Sequence, residues 1–144
     1  MAGKSAAFEN DLLKLIFNGT AISLIADNTA TTPLTNLYIA LHTSDPTDAG
    51  TQTSGEIAYT GYARVAVART SGGWTITASS VSPVANIDFG LMTAGAGGTV
   101  TNWSIGTLTS GAGKILYSGT VSPTLSVVNG VIPRISTAST VTEG

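Results

Sequence analysis

At 144 residues the chain has the length of one ordinary domain, enough to bury about 68–70% of its unfolded surface without covalent staples. It has no cysteine, which excludes disulfides, thiolate metal sites and cysteine nucleophiles. Charged residues make up 10% of it, against about 25% in a usual domain, and a net charge of −2 with no basic cluster gives phosphate backbones nothing to bind.

No membrane partner is expected, since no apolar stretch approaches the roughly 20 residues that span a bilayer. A leader peptide is not expected either, because Lys14 interrupts the run Leu12–Phe17. Residues 5–18 carry the helical pattern. Phe8, Leu12, Leu15 and Ile16 form a stripe that Leu13 and Phe17 widen. Ser5 is placed to cap the start, Glu9 and Asp11 lie near the positive end, and Gly19 closes the helix. Such a helix either covers its own sheet or docks on a neighbouring subunit.

Thr20–Ile25 reads as a short strand or the helix tail, and Asp27–Pro33 as a loop. Thr35–His42 reads as a strand. Leu37, Ile39 and Leu41 share one face and Tyr38, Ala40 and His42 the other, so it is expected at the centre of a sheet covered on both sides. The loop Thr43–Gly55 that follows is long for a hairpin. Further strands are expected at Ala63–Thr70, at Trp74–Ala78, and after Pro83 with Ala85, Ile87 and Phe89 alternating. Others are expected at Val100–Thr107 and Lys114–Ser118. The sharpest local signal is Asn129-Gly130 between Leu125–Val128 and Val131–Ile135, a hairpin pattern with Pro133 marking an edge. Thr137–Gly144 reads as a polar tail. The expectation is a single β-rich domain over 1–144, with residues 1–19 as a helical segment. Its architecture is an antiparallel β-sandwich or Greek-key barrel of seven to nine strands with one N-terminal amphipathic helix.

The search for chemistry returns little. Ser110-Gly-Ala-Gly-Lys114 lacks the phosphate-loop spacing, because Leu108 stands where a glycine is needed and Ile115 where a hydroxyl is needed. Gly95-Ala-Gly-Gly98 is followed by Val100 and no helix. His42, Asp45 and Asp48 resemble a metal cluster in residue type but not in spacing. No Gly-x-Ser-x-Gly elbow accompanies the sole histidine. The reading is no enzyme, no cofactor and no metal. Trp74 and Trp103 are assigned to the core, and Tyr59 and Tyr62 to an exposed pair.

A resemblance begins at Leu37-Tyr-Ile-Ala-Leu-His-Thr-Ser-Asp-Pro46. It continues through Asp48-Ala-Gly50, Glu56–Arg64, Gly73–Ile76, Ile105–Thr107, Ser110–Gly119 and Gly130–Arg134. These stretches resemble a family of small structural proteins of tailed-bacteriophage virions, often labelled tail-fibre-like. The chain departs from that pattern at Phe89-Gly90, where proline is expected after the Phe. The resemblance supplies no catalytic residues. It implies a capsid decoration or cement protein on the head exterior, assembled in the host cytoplasm and bridging the major capsid protein. It is also expected to associate with itself, with a trimer favoured. The alternative is a tail or tail-fibre component that meets the host surface. Interface residues are expected among Phe8, Leu12, Leu15, His42, Asp45, Pro46, Asp48, Tyr59 and Tyr62.

Overall fold

The doubly apolar run after Asn36 needs cover on both faces, and it receives it. In a computed structural model, which describes residues 5–22 and 33–143 apart from the side chains of Ala6 and Phe8, this run forms β1 (Asn36–His42). Leu37, Ile39, Ala40, Leu41 and His42 are all buried. The fold is mainly β with one N-terminal helix, as the sequence predicts. Nine strands are present among the described residues, the upper end of the expected range.

Contacts divide the chain into two compact units. One comprises Leu37–Val67 and Ile87–Ile135. Its centre is a four-stranded sheet in the order β2 (Val65–Ala68), β1, β6 (Gly98–Gly106), β7 (Ile115–Val127). β1 lies at an interior position, paired antiparallel to β6 with Leu41 opposite Trp103 and His42 opposite Asn102. β6 pairs antiparallel to β7, with register breaks between Val100 and Asn102 and between Ile105 and Gly106. A two-stranded sheet of β5 (Ile87–Asp88) and β8 (Arg134–Ile135) belongs to the same unit.

The other unit comprises Met1–Asn36, Ala68–Asn86 and Ser136–Gly144. It holds α1 (Ala6–Asn18) and a three-stranded sheet of β3 (Trp74–Thr77), β4 (Ser80–Pro83) and β9 (Val141–Thr142). α1 starts with Glu9 N–H donating to the Ser5 carbonyl at 3.0 Å. It ends at Gly19, whose φ of 65° is the left-handed turn that glycine makes at low cost. Leu13 and Phe17 are fully buried, whereas Leu12, Leu15 and Ile16 are half-buried. The apolar stripe is therefore centred on the two residues that the sequence placed at its margin. The Phe17 ring meets Trp74 edge-on, with centroids 4.7 Å apart. The Arg69 guanidinium donates to the carbonyls of Leu15 and Ile16, so a cation from another segment closes the negative end of α1.

Several local expectations are corrected. The strand expected after Pro83 is shortened to β5, where Ile87 and the following Phe89 are buried on either side of exposed Asp88 as expected, whereas Ala85 is exposed and the preceding strand β4 ends at Pro83. The Asn129-Gly130 turn exists, with Gly130 at φ 89° and Val131 N–H donating to Val128 O at 3.0 Å. The flanking runs do not pair with each other, however. Leu125–Val127 pairs with Gly98–Val100, and Arg134–Ile135 pairs with Ile87–Asp88. Both flanks find longer-range backbone partners, and the segments expected as separate strands at Lys114–Ser118 and Leu125–Val128 fall largely within the single strand β7, Ile115–Val127. The segment read as a polar tail contributes β9, which pairs with β4. The Thr20–Ile25 and Asp27–Pro33 readings fall largely outside the described residues.

Candidate docking loop and ligand groove

The long segment after β1 carries most of the expected interface residues, and it is fixed from beneath. Arg64 lies at the end of that segment with its side chain 2% exposed. Its Nε and Nη2 each donate to one carboxylate oxygen of Glu56, both at 2.7 Å, a bidentate fork. Nη1 donates to Leu108 O at 2.9 Å and Nη2 to Gly111 O at 2.7 Å. Gln52, also buried, donates through Nε2 to Tyr38 O at 2.9 Å and accepts at Oε1 from Leu108 N at 3.3 Å. The Tyr62 hydroxyl donates to Glu56 Oε1 at 2.9 Å and accepts from Leu41 N at 3.2 Å. One network thus ties the segment 52–64 to β1 and to the turn 108–113. A buried charge is stable only when paired and hydrogen-bonded, and here both partners are.

That network accounts for the glycine-rich turn. The turn 108–113 directs two carbonyls, those of Leu108 and Gly111, onto the Arg64 guanidinium, and Gly113 lets Gln52 approach. A Cβ at Gly113 would lie 2.3 Å from Gln52 Oε1. A phosphate cradle presents N–H groups, so this turn has the opposite polarity.

His42 is fully buried. Nδ1 is 2.8 Å from Ser54 O, which only accepts, so the proton sits on Nδ1. Nε2, 2.8 Å away from Ser104 Oγ, accepts from that hydroxyl. Burial holds the imidazole below its usual pKa, although the Ser54 carbonyl and Glu56 oppose this. Tyr62 is pushed far above the usual phenol range, mainly by burial. Tyr59, raised by the same cause, is buried and donates to Gly90 O at 2.8 Å.

The expected interface residues therefore separate. Asp45 and Asp48 are exposed on the loop, whereas Pro46 is buried beneath it. His42 offers no surface. Tyr59 and Tyr62 are not an exposed pair: their rings lie 5.4 Å apart, and Tyr62 stacks on Phe89 at 6.1 Å with a 6° interplanar angle. Close packing at Gly61 and Gly90 accompanies this cluster, since a Cβ on Gly90 would lie 1.8 Å from Gly61 O. That contact suits glycine at the position where the resemblance expects proline. Leu12 and Leu15 are half-buried on α1, and the Phe8 side chain lies outside the described residues. Trp74 and Trp103 are buried, as expected. His42, Asp45 and Asp48 do not converge, and among the described residues no group of three His, Cys, Asp or Glu side chains could hold a metal.

Two further surface features of the described residues bear on binding. A groove of about 410 Å³ runs between Thr47, Asp48 and Gly50 on one side and Lys114–Ser118 on the other. Residues 115–133 contain no charged side chain, and Val128 and Ile132 there, like Leu91, are exposed apolar residues. Sequence reasoning named the loop but missed Gln52, Glu56 and Arg64. The available signal was an arginine embedded in an apolar strand pattern of a charge-poor chain.

A family model described as "Podophage GP4 fiber I protein gp80" matches residues 3–143. The chain belongs to this family. It is a bacteriophage virion structural protein, in line with the resemblance of its motifs. No curated protein sequence matches the chain. Most of the stretches that carry the resemblance to phage virion proteins lie in the unit of residues 37–67 and 87–135, where they contribute to the Arg64 network and the walls of the groove.

Proposed function

We propose that this chain is a non-enzymatic, tail-fibre-associated structural protein that contacts the host surface. The observation that carries the reading is membership, over residues 3–143, of a family described as a podophage fibre protein. Two properties support it. The loop Asp45–Gly50, which exposes Asp45, Thr47, Asp48 and Ala49, leads into a segment held by a fully bonded buried network, which suits a part that must keep its shape at a surface. The chain is also poor in charge, so identical copies pack side by side with little repulsion. Self-association, with a trimer favoured, belongs to this proposal; light scattering on the purified chain checks it by mass.

Immunogold labelling of intact virions tests the location. The expected result is gold at the tail. A second reading, a decoration protein bridging major capsid protein subunits on the head exterior, draws on the same sparse charge and lack of a basic cluster. It requires gold over the whole head.

A further inference from the structure

The groove beside β7 is half open to solvent and lined by both polar and apolar side chains. At Thr51 the loop runs alongside the strand, with Thr51 bridged to Lys114 and Gln52 N donating to Gly113 O at 2.9 Å. Toward Thr47 the loop and β7 diverge, which opens about 410 Å³, within the ~300–1,000 Å³ of ordinary small-molecule sites. The loop wall is set in advance. Asp45 Oδ1 accepts from Thr47 N at 2.9 Å, and Gly50 N donates to Thr47 O at 3.2 Å. Gly50 presses on Pro46 O, where a Cβ would lie 1.9 Å away. Thr47 holds a φ of 60°, a strained conformation for a β-branched residue.

The lining chemistry narrows the ligand. The Asp48 carboxylate and the Lys114 ammonium line the same groove, and neither side chain has a hydrogen bond or ion pair among the described residues. Thr47 and Ser118 add hydroxyls, and the half-buried side chain of Tyr117 adds an apolar surface. An isolated phosphate finds a carboxylate here, and an apolar ligand finds charges. A sugar matches the set: adjacent hydroxyls donate to a carboxylate, ring and hydroxyl oxygens accept from an ammonium, and the C–H face of the ring lies on the aromatic.

We propose that the groove between Thr47–Gly50 and Lys114–Ser118 binds a carbohydrate of about two rings from the host surface, with Asp48 and Lys114 as its polar anchors. The proposal rests on the host-contact reading above and names the ligand class of that contact. The test is a titration of the isotope-labelled chain with oligosaccharide released by mild acid from host-cell surface polysaccharide, followed by amide NMR. Shifts confined to residues 47–50 and 114–118 are expected. Asp48→Asn and Lys114→Met should each weaken binding about tenfold or more, the loss of one charge-assisted hydrogen bond. Asp88→Asn, a change at an exposed carboxylate outside the groove, should leave binding unchanged. Three results overturn the proposal: no shifts at millimolar sugar, shifts elsewhere, or broadening of the same residues with protein concentration alone, which would assign the groove to a strand of a second copy. Virion labelling separates this from the parent reading. Gold at the tail with a silent groove removes the sugar site and keeps the tail role. Sugar binding with gold over the head keeps the site and removes the tail role.

Discussion

The two units of this chain hold their shape by different means. In the unit with α1, the core is a helix laid on a small sheet, with Leu13, Phe17, Trp74 and Val81 buried. Its polar accounting is incomplete: Trp74 Nε1 and Asn18 Oδ1 are buried without a hydrogen-bond partner among the described residues. In the unit with β1, an apolar sheet is joined by a charged network in which Gln52, Glu56, Tyr62 and Arg64 are all bonded. Apolar packing is non-directional and tolerates exchanges of similar volume. A polar network tolerates far less, because each member removed leaves its partner buried and unsatisfied. The second kind of construction underlies the exposed loop, where a fixed geometry is of use.

Mutation sharpens that contrast. The largest losses should come from the centres of the two units. Trp74→Ala should lower unfolding free energy by about 3–5 kcal/mol, and Trp74→Phe much less, since the indole N–H has no partner to lose. Arg64→Met should also cost about 3–5 kcal/mol by stranding Glu56. Arg64→Lys should not rescue it, because an ammonium cannot make the bidentate fork. Urea titrations of these four variants check the pattern, and equal tolerance of Arg64→Lys and Trp74→Phe would break it.

A smaller effect is expected of Tyr62→Phe, about 1–3 kcal/mol, from the lost hydroxyl between Leu41 N and Glu56. The same hydroxyl gives an alkaline signature. Its folded pKa is raised, so the unfolded state loses the proton first, and stability should fall as pH rises above about 10. His42 gives the acidic counterpart. Its folded pKa is lowered, so its contribution is complete above the unfolded value of about 6.5 and is lost as pH falls below it. The slope is at most about 1.4 kcal/mol per pH unit, and thermal melts of His42→Gln should lack this component. The smallest effect belongs to Asp88→Ala. The Asp88–Arg134 pair is solvent-exposed, so melting should barely move despite the bidentate geometry.

How much of this was legible in the sequence follows from the range of the forces. β1 was legible because apolar residues on both faces leave a strand nowhere but a sheet interior. The Asn129-Gly130 turn was legible as a turn, but strand partners are chosen over long range, and Gly98–Val100 took the place of Val131–Ile135. The terminal segment looked like a tail because Val141 is its one large apolar residue, yet that residue pairs opposite Val81 of β4. The Arg64 network was not legible. Its members lie at 52, 56, 62 and 64, with acceptors at 108 and 111, and no local period links them. Tyr59 and Tyr62 suggested exposure because Gly61 between them reads as a loop, but that glycine permits the close packing that buries Tyr59.

The most direct test of the central claim is an asymmetric cryo-EM reconstruction of the virion with this chain fitted by its sheet order, β2-β1-β6-β7. The account predicts density for the chain at the tail, in about a dozen copies or fewer, with Asp45–Gly50 facing outward. Density covering the capsid lattice in hundreds of copies would contradict it.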